Sequence, residues 1–378
     1  MSAKKKTKTK QGDPSPGPFP NRLRFASAHR EGESESLNSP SLFIGRGCPK
    51  GGGGSPAFPK KTAFAICRNE KDCKKFKGGV VTIGNFDGFH RGHRAVLNYV
   101  LKLAKVVKGP AVLITFDPHT QSVLASNGGL KVLTTTDEKC RLISETEADA
   151  LLILKFNDRL KKMGAEAFLE NIIFKYLAPK EVVFGHDHRF GAGRKGDFSL
   201  IRKVCEQKGV RTRRVRPLGF QGYTVSSTVI RELVALGRME AASSLLGHPY
   251  LIRGKVERGY GQGRQLGFPT ANIAVKEEKL LMPDGVYYGS LCIDKKRHGA
   301  VISLGVRPSF HLSGRALEVH VPGFSGNLYR KKVDLYVEGF IRKQKKYSRI
   351  DNLLKRIKQD IKILKHKHLK EDSLEDHS

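Results

Sequence analysis

At 378 residues the chain is long enough for two domains with sizeable cores, and a hydrophobic content of 39% suits globular packing. Its 69 Lys+Arg against 36 Asp+Glu give a formal net charge of +33, which attracts polyanions in general. No Arg/Lys ladder with interleaved aromatics stands out, so a nucleotide enzyme with a basic surface explains the charge as well as a nucleic-acid protein does. Six cysteines (Cys48, Cys67, Cys73, Cys140, Cys205, Cys292) form no C-x-x-C pair, and no apolar run approaches membrane-spanning length. Together with an N-terminus too polar for a signal peptide, and with Glu31, Glu33 and Glu35 against a transit peptide, they place the chain in the cytoplasm with reduced thiols.

Residues 1–61 are Lys-, Pro-, Gly- and Ser-rich without periodicity and read as a disordered basic extension. Ordered sequence starts near Thr62 with a short strand, Ala63 to Cys67, and leads to V-V-T-I-G-N-F-D-G-F-H-R-G-H from Val80 to His93. A β-branched run stops at Gly84, a turn from Asn85 to Gly88 follows, and a helical pattern runs from about Gly92 to Lys105. Unpaired N–H groups and the positive end of the helix dipole converge at such a junction and make an anion site. His90 and His93, three apart, face that spot, and Gly92 between them admits a phosphate to the backbone. Taken alone, the two histidines are equally zinc ligands or polar residues on a solvated face, although no Cys or carboxylate sits nearby at ligand spacing.

Alternation continues with a strand at Ala111–Phe116 ending in Asp117-Pro118-His119-Thr120, a helix near Asp137 to Glu145, and a strand at Ala150 to Leu154. A helix near Gly164 to Tyr176 then precedes a strand at Glu181 to Phe184. This predicts an α/β, Rossmann-like domain with a parallel sheet, whose ligands bind beyond the carboxyl ends of the strands. There the unusual residues collect: a four-glycine loop from Gly185 to Asp197, and the cluster Ser226-Ser227-Thr228 opening a helix with Arg231 one turn in. The cluster is a good N-cap, and it equally suits a second phosphate grip.

From Tyr250 the period becomes alternating, at Leu251–Val256, Val286–Ile293, Val301–Leu304, Leu317–Val321 and Val333–Val337, with short connections such as Asp294 to His298. This predicts a small antiparallel β-barrel closed by a C-terminal helix with Ser348 as N-cap, and a polar tail beyond His366. Within it lies Gly259 to Asn272, where Gly261, Gly263 and Gly267 give a pliable flap and Pro269 fixes the backbone before Thr270. Thr270 and Asn272 face one side and suit a Mg2+–phosphate complex, or are polar edge residues of a glycine-rich turn. Glu318 and His320 point away from Leu317 and Val319.

G-N-F-D-G-F-H-R-G-H resembles the signature of H-x-G-H nucleotidyltransferases and, with S-S-T-x-x-R, the adenylyltransferase half of bacterial bifunctional riboflavin kinase/FAD synthetases. G-F-P-T-A-N, G-V-R-P-S-F and L-E-V-H resemble the kinase half of the same enzymes. The resemblance covers about Thr62 to Lys365 and implies an FMN adenylyltransferase domain at 62–247, a riboflavin kinase domain at 248–365 and a tail at 366–378. It implies catalytic roles for Glu318, as base, and for His90, His93 and Arg231. ATP or phosphate contacts are implied at Gly84, Asn85, Gly92, Ser227, Thr228, Gly261, Gly263, Gly267, Thr270 and Asn272, and flavin contacts at Asp187, Phe190 and Arg307. Thr270 and Asn272 would hold Mg2+, with ATP, riboflavin, FMN and FAD as substrates and products. Val229 stands where many relatives carry another Arg, and His186 and His188 flank Asp187. Two other readings stay open: a kinase alone with a weakened first domain, and a basic nucleic-acid-associated protein.

Overall fold

The computed structural model describes residues 64–375 apart from 125–128, 187–189, 195, 260 and 307–314. The expected basic extension, Asp187 and Arg307 lie outside the described residues. The first part of the chain is a six-stranded parallel sheet: β1 (Ala65–Cys67), β2 (Val80–Ile83), β3 (Ala111–Asp117), β4 (Ala150–Lys155), β5 (Glu181–Gly185) and β6 (Arg211–Val215), in the order β1-β4-β3-β2-β5-β6. β2 is buried throughout and β3 nearly so, because helices cover both faces; hence their unbroken apolar runs. Helix α1 (Arg91–Val107) turns Val96, Leu97, Val100, Ala104 and Val107 inward at helical spacing.

After β3 come α2 (Thr120–Leu124) and α3 (Thr136–Ser144), which opens on a capping box between Thr135 and Glu138. Next are α4 (Asp158–Lys162) and α5 (Ala165–Phe168), the latter continuing as a π-wound stretch, Leu169–Leu177. Among the elements that escape the sequence reading are a helix and an edge strand. Helix α6 (Phe198–Gln207) is capped by Asp197, taken as loop above, and edge strand β6 has the sequence R-T-R-R-V, whose charges mask its period. Arg211 and Arg213 settle on the buried carboxylate of Glu181, at 2.7 and 3.4 Å. The chain reverses direction across the sheet at β2 and β5, which leaves a crevice at their carboxyl ends.

A two-strand ribbon, β7 (Gly219–Phe220) and β8 (Tyr223–Thr224), leads to α7 (Ser227–Ala235) and α8 (Met239–Leu246). The second part is a closed antiparallel barrel. Its strands are β9 (Tyr250–Glu257), β10 (Ala271–Ala274), β11 (Gly285–Ile293), β12 (Lys296–Val306), β13 (Arg315–His320) and β14 (Lys332–Arg342), with a short α9 (Gln262–Gln265) before β10. Ile252, Val256, Ile273, Ile302, Leu317, Val319 and Leu335 fill it, joined in one apolar cluster by Ile230, Leu233, Met239 and Leu246 of α7 and α8. Helix α10 (Ile350–Glu375) lies outside, with Leu364 against Val286, Tyr288 and Val301 and with Asp360 held by Arg342. The helix passes the point where a polar tail was expected.

Asp294 to His298, expected as a loop, is mostly strand: β11 and β12 pair up to Ile293 and Lys296. Only Asp294 and Lys295 make the turn, both with positive φ (48 and 68°), as a type I′ hairpin demands. Lys295→Gly removes a side chain from left-handed backbone and is expected to stabilise the chain by about 0.5–1 kcal/mol, read from the urea midpoint.

Where sheet and barrel meet, His248 is partly buried with Nε2 3.0 Å from the Gly88 carbonyl, while His119 is buried beyond β3. Burial, against which neighbouring partners count less, pushes both imidazoles down to about 4. Unfolded, each would titrate near 6.5, so between about 4 and 6.5 the unfolded chain binds more protons and stability rises with pH. Acidification from pH 7 to 4 is expected to cost about 3 kcal/mol per histidine. Urea denaturation across that range measures the loss, and His248→Gln should flatten the slope.

Candidate functional sites

The crevice beyond the sheet holds a cavity of about 770 Å³, within the ~300–1,000 Å³ span of small-molecule sites. The ends of β2, β3, β5 and β6, the loop after β4 and the start of α7 all contribute to its wall. Its polar end is built on the turn after β2. Phe86 and Phe89 adopt φ of 47 and 39°, unusual for bulky residues, and both rings are buried. The fold around them holds Asp87 inward, 1% exposed.

The Asp87 carboxylate accepts bonds from the amides of Leu133 (3.1 Å) and Thr134 (2.8 Å), and from Arg231 Nη2 (2.7 Å). Burial alone would raise this carboxyl; Arg231, His119 and the two amides outweigh it and hold it below the usual range. Arg231, expected to grip phosphate, thus spends one nitrogen on Asp87, while its Nε is buried with no hydrogen-bond partner among the described residues. Ser227 donates its hydroxyl to the Asp87 carbonyl (2.9 Å), and Ser226 is the cap of α7, accepting from the Val229 amide. Thr228 lines the cavity.

His90 caps α1: its Nδ1 accepts from the His93 amide at 3.3 Å, and the two imidazoles stack with centroids 3.6 Å apart. Gly92 makes room for this, since a Cβ there would lie 3.1 Å from the His90 ring. Burial, and next the neighbouring His90 and Lys139, press the His93 pKa well below its ordinary value, so His93 is neutral. Asn85 lines the cavity beside Gly84, but its amide is bound to Thr120, donating to Oγ1 at 3.0 Å and accepting at 3.2 Å. Its side chain thus braces the β2 loop against the β3 loop at the cavity wall.

The other end of the cavity is apolar, with Phe116, Phe156, Phe168, Phe190 and Met163. Phe116 and Phe156 meet edge to face at 5.9 Å, and Phe168 and Phe190 at 5.1 Å. Phe190 is thus in the cavity wall. The sequence reading did not single out Asp87, His119, Lys161 or Arg216, all of which line the cavity. Asp87 was quoted only as part of a motif, and a charged residue inside a turn of apolar neighbours was the available signal.

A second cluster lies on the outer face of the barrel. Glu257, Asn272, Glu318 and Ser303 occupy successive register positions across β9, β10, β13 and β12. Directly paired residues of this kind have Cβ atoms about 4.5–5.5 Å apart, so Asn272 and Glu318 are immediate neighbours. Thr270 is exposed just ahead of β10. Its segment is pinned to β13 by His320, whose Nδ1 lies 2.8 Å from the Pro269 carbonyl and whose ring meets Phe268 at 5.6 Å. Gly261 and Gly267 take left-handed backbone around α9. A Cβ on Gly263 would come within 2.4 Å of the Phe268 carbonyl oxygen and 3.2 Å of Thr270 Oγ1, so this turn closes on Thr270 only without a side chain there. Among the described residues no group of three or more His, Cys, Asp or Glu is placed to hold a metal ion. No helix among them is long and apolar enough to cross a membrane.

Comparison with known proteins separates the chain at the same place. The family described as FAD synthetase matches residues 72–229, and the family described as riboflavin kinase matches residues 246–368. The bifunctional riboflavin kinase/FMN adenylyltransferase of Buchnera aphidicola subsp. Schizaphis graminum is 35% identical over 305 residues, 79% of this chain and 97% of that protein. Its namesake from Escherichia coli strain K12 is 33% identical over 285 residues, 75% of this chain and 91% of that protein. A crystal structure titled macrolide-efflux protein from Streptococcus pneumoniae superposes with a TM-score of 0.71 at 26% identity, covering 80% of this chain and 99% of that one. With both matched regions present in order, and with relatives above 30% identity covered almost from end to end, the chain belongs to the bifunctional riboflavin kinase/FMN adenylyltransferase family.

Proposed function

We propose that the chain makes FAD in two steps at two separate sites: phosphorylation of riboflavin by ATP on the barrel, then adenylylation of FMN in the sheet cavity. The observation that carries the second assignment is the two-ended cavity, aromatic at one pole and built from a helix N-terminus, two imidazoles and Arg231 at the other. A flat isoalloxazine suits the first pole and a polyphosphate the second.

On the barrel, the ribityl 5′-hydroxyl of riboflavin attacks the γ-phosphorus of ATP and ADP leaves. Glu318 takes the hydroxyl proton, and neighbouring Asn272 with Thr270 holds the phosphates in line. In the cavity, an FMN phosphate oxygen attacks the α-phosphorus of ATP and pyrophosphate leaves. That nucleophile is already anionic, so no base is required; His90, His93, the N-terminus of α1 and Arg231 stabilise the accumulating charge. Asp87 keeps Arg231 in one orientation and leaves the remaining guanidinium nitrogens for the ligand.

Thr270 and Asn272 offer a hydroxyl and an amide oxygen, hard donors that suit Mg2+. Two such ligands fit a cation that keeps its waters and the phosphates as its other ligands, and there it would neutralise phosphate charge. We assign residues 62–247 and 248–365 to the two catalytic units. The free thiols of Cys67, Cys73, Cys140, Cys205 and Cys292 support a cytoplasmic setting.

Glu318→Gln is expected to lower riboflavin phosphorylation by about 10²–10⁴-fold while FAD formation from supplied FMN stays within about twofold. His93→Ala should do the reverse, lowering FAD formation by about 10²–10³-fold and sparing the kinase. Chromatographic resolution of FMN from FAD after incubation with flavin, ATP and Mg2+ measures both. Loss of both activities in either folded variant contradicts separate sites, and FMN accumulating without FAD in the parent chain indicates a kinase alone.

A further inference from the structure

The connection from β10 to β11 sends Lys279 into the joint between barrel and sheet, where its side chain and that of Glu138 are both 0% exposed. An ammonium has three protons, and all three are placed: on Glu138 Oε2 (2.8 Å), the Leu133 carbonyl (2.5 Å) and the Leu251 carbonyl (2.6 Å). Glu138 is equally committed. Its Oε1 accepts from the Arg253 amide and its Oε2 from the Thr135 amide, each at 2.8 Å.

Residues 132–134 run between this pair and the cavity. On the barrel side, Val132 donates to the Glu278 carbonyl (2.8 Å) and accepts from the Leu280 amide (2.9 Å). On the cavity side, the amides of Leu133 and Thr134 bind Asp87, and Thr134 Oγ1 accepts from the Gly88 amide at 2.9 Å. Leu133 therefore touches both: its carbonyl takes Lys279 and its N–H takes Asp87, which in turn holds Arg231.

We propose that Lys279 is a positioning residue for adenylyl transfer: a cation of the barrel half that sets the orientation of Arg231 in the other half through Leu133, Thr134 and Asp87. This rests on the assignment of the sheet cavity to adenylyl transfer. A displacement of about 1 Å in a group that aligns the reacting atoms is enough to cost ~10²-fold in rate, and this relay has few loose joints through which to absorb one.

The test uses the full chain carrying Lys279→Met, and the double variant Glu138→Gln/Lys279→Met, which leaves no unpaired charge in the joint. For both, riboflavin phosphorylation per folded molecule is expected to stay within about twofold of the parent. The kcat of FAD formation from FMN should fall by about tenfold or more with the KM for FMN unchanged, because the aromatic pole is untouched. Amide hydrogen exchange at Leu133 and Thr134 should quicken in both. A purely structural role lowers the two activities together or only the yield of folded protein. Recovery of FAD formation to the parental rate in the double variant would overturn the proposal, since the fault would then lie in a stranded carboxylate and not in the lost hold on Leu133. Unchanged exchange at both amides would also overturn it. Should Lys279→Met fail to fold, the double variant carries the comparison alone. If His93→Ala keeps full FAD formation, the cavity assignment falls, and the exchange data still decide whether Lys279 holds the 132–134 segment.

Discussion

A buried carboxylate, Asp87, ties three distant stretches of chain into one site. Its two oxygens are shared among the amides of Leu133 and Thr134 and the guanidinium of Arg231, and its carbonyl accepts from Ser227. An ionised group in so dry a place is tolerable only when its lone pairs are met by donors and a counter-charge. The turn after β2 must therefore keep Phe86 and Phe89 in left-handed backbone, because relaxing them would rotate the carboxylate away from those donors. Strain at the turn and order at the cavity are one arrangement.

Charge burial recurs at the joint between the two halves. Glu138 with Lys279 and Arg141 with Asp334 cross from sheet to barrel, Arg253 bracing Asp334 from within the barrel, and the more exposed pair Asp137 with Lys332 crosses beside them. Such pairs add little net stability, but an uncompensated ion is costly, so they select one docking pose over slipped alternatives. The apolar part of the joint works alongside them. Helix α7, which begins at the phosphate pole, is packed by Ile230, Leu233 and Val234 into the same cluster as the barrel core. The two halves are thus continuous in packing although they differ in architecture.

Much of this was legible in the sequence, for definable reasons. Strands β2 to β5 are buried on both faces and show as unbroken apolar runs, and the barrel strands alternate because one face meets the core. Glycine and proline punctuation located the loops that carry the polar residues. Strand β6 was missed because its arginines sit on an edge and bind a buried glutamate from outside, a relation no periodicity reports. The hairpin at Asp294 and Lys295 was read as a loop because its charged flanks look like solvent-facing linker. The role of Asp87 was invisible for another reason: its partners lie 46, 47 and 144 residues away, and long-range pairing leaves no local trace. Similarly, Asn85 has a brace for its amide only because the β3 loop comes back alongside it.

His90 serves as a helix cap through Nδ1, and that bond has a chemical corollary. An imidazole nitrogen that accepts an N–H carries no proton, so the ring is held as the tautomer protonated on Nε2. The Nε2 edge of His90 is then a donor by construction, before any ligand arrives. A second proton would have to go onto the capping nitrogen and would unfasten the first turn of α1, so the fold itself sets the polarity of this ring.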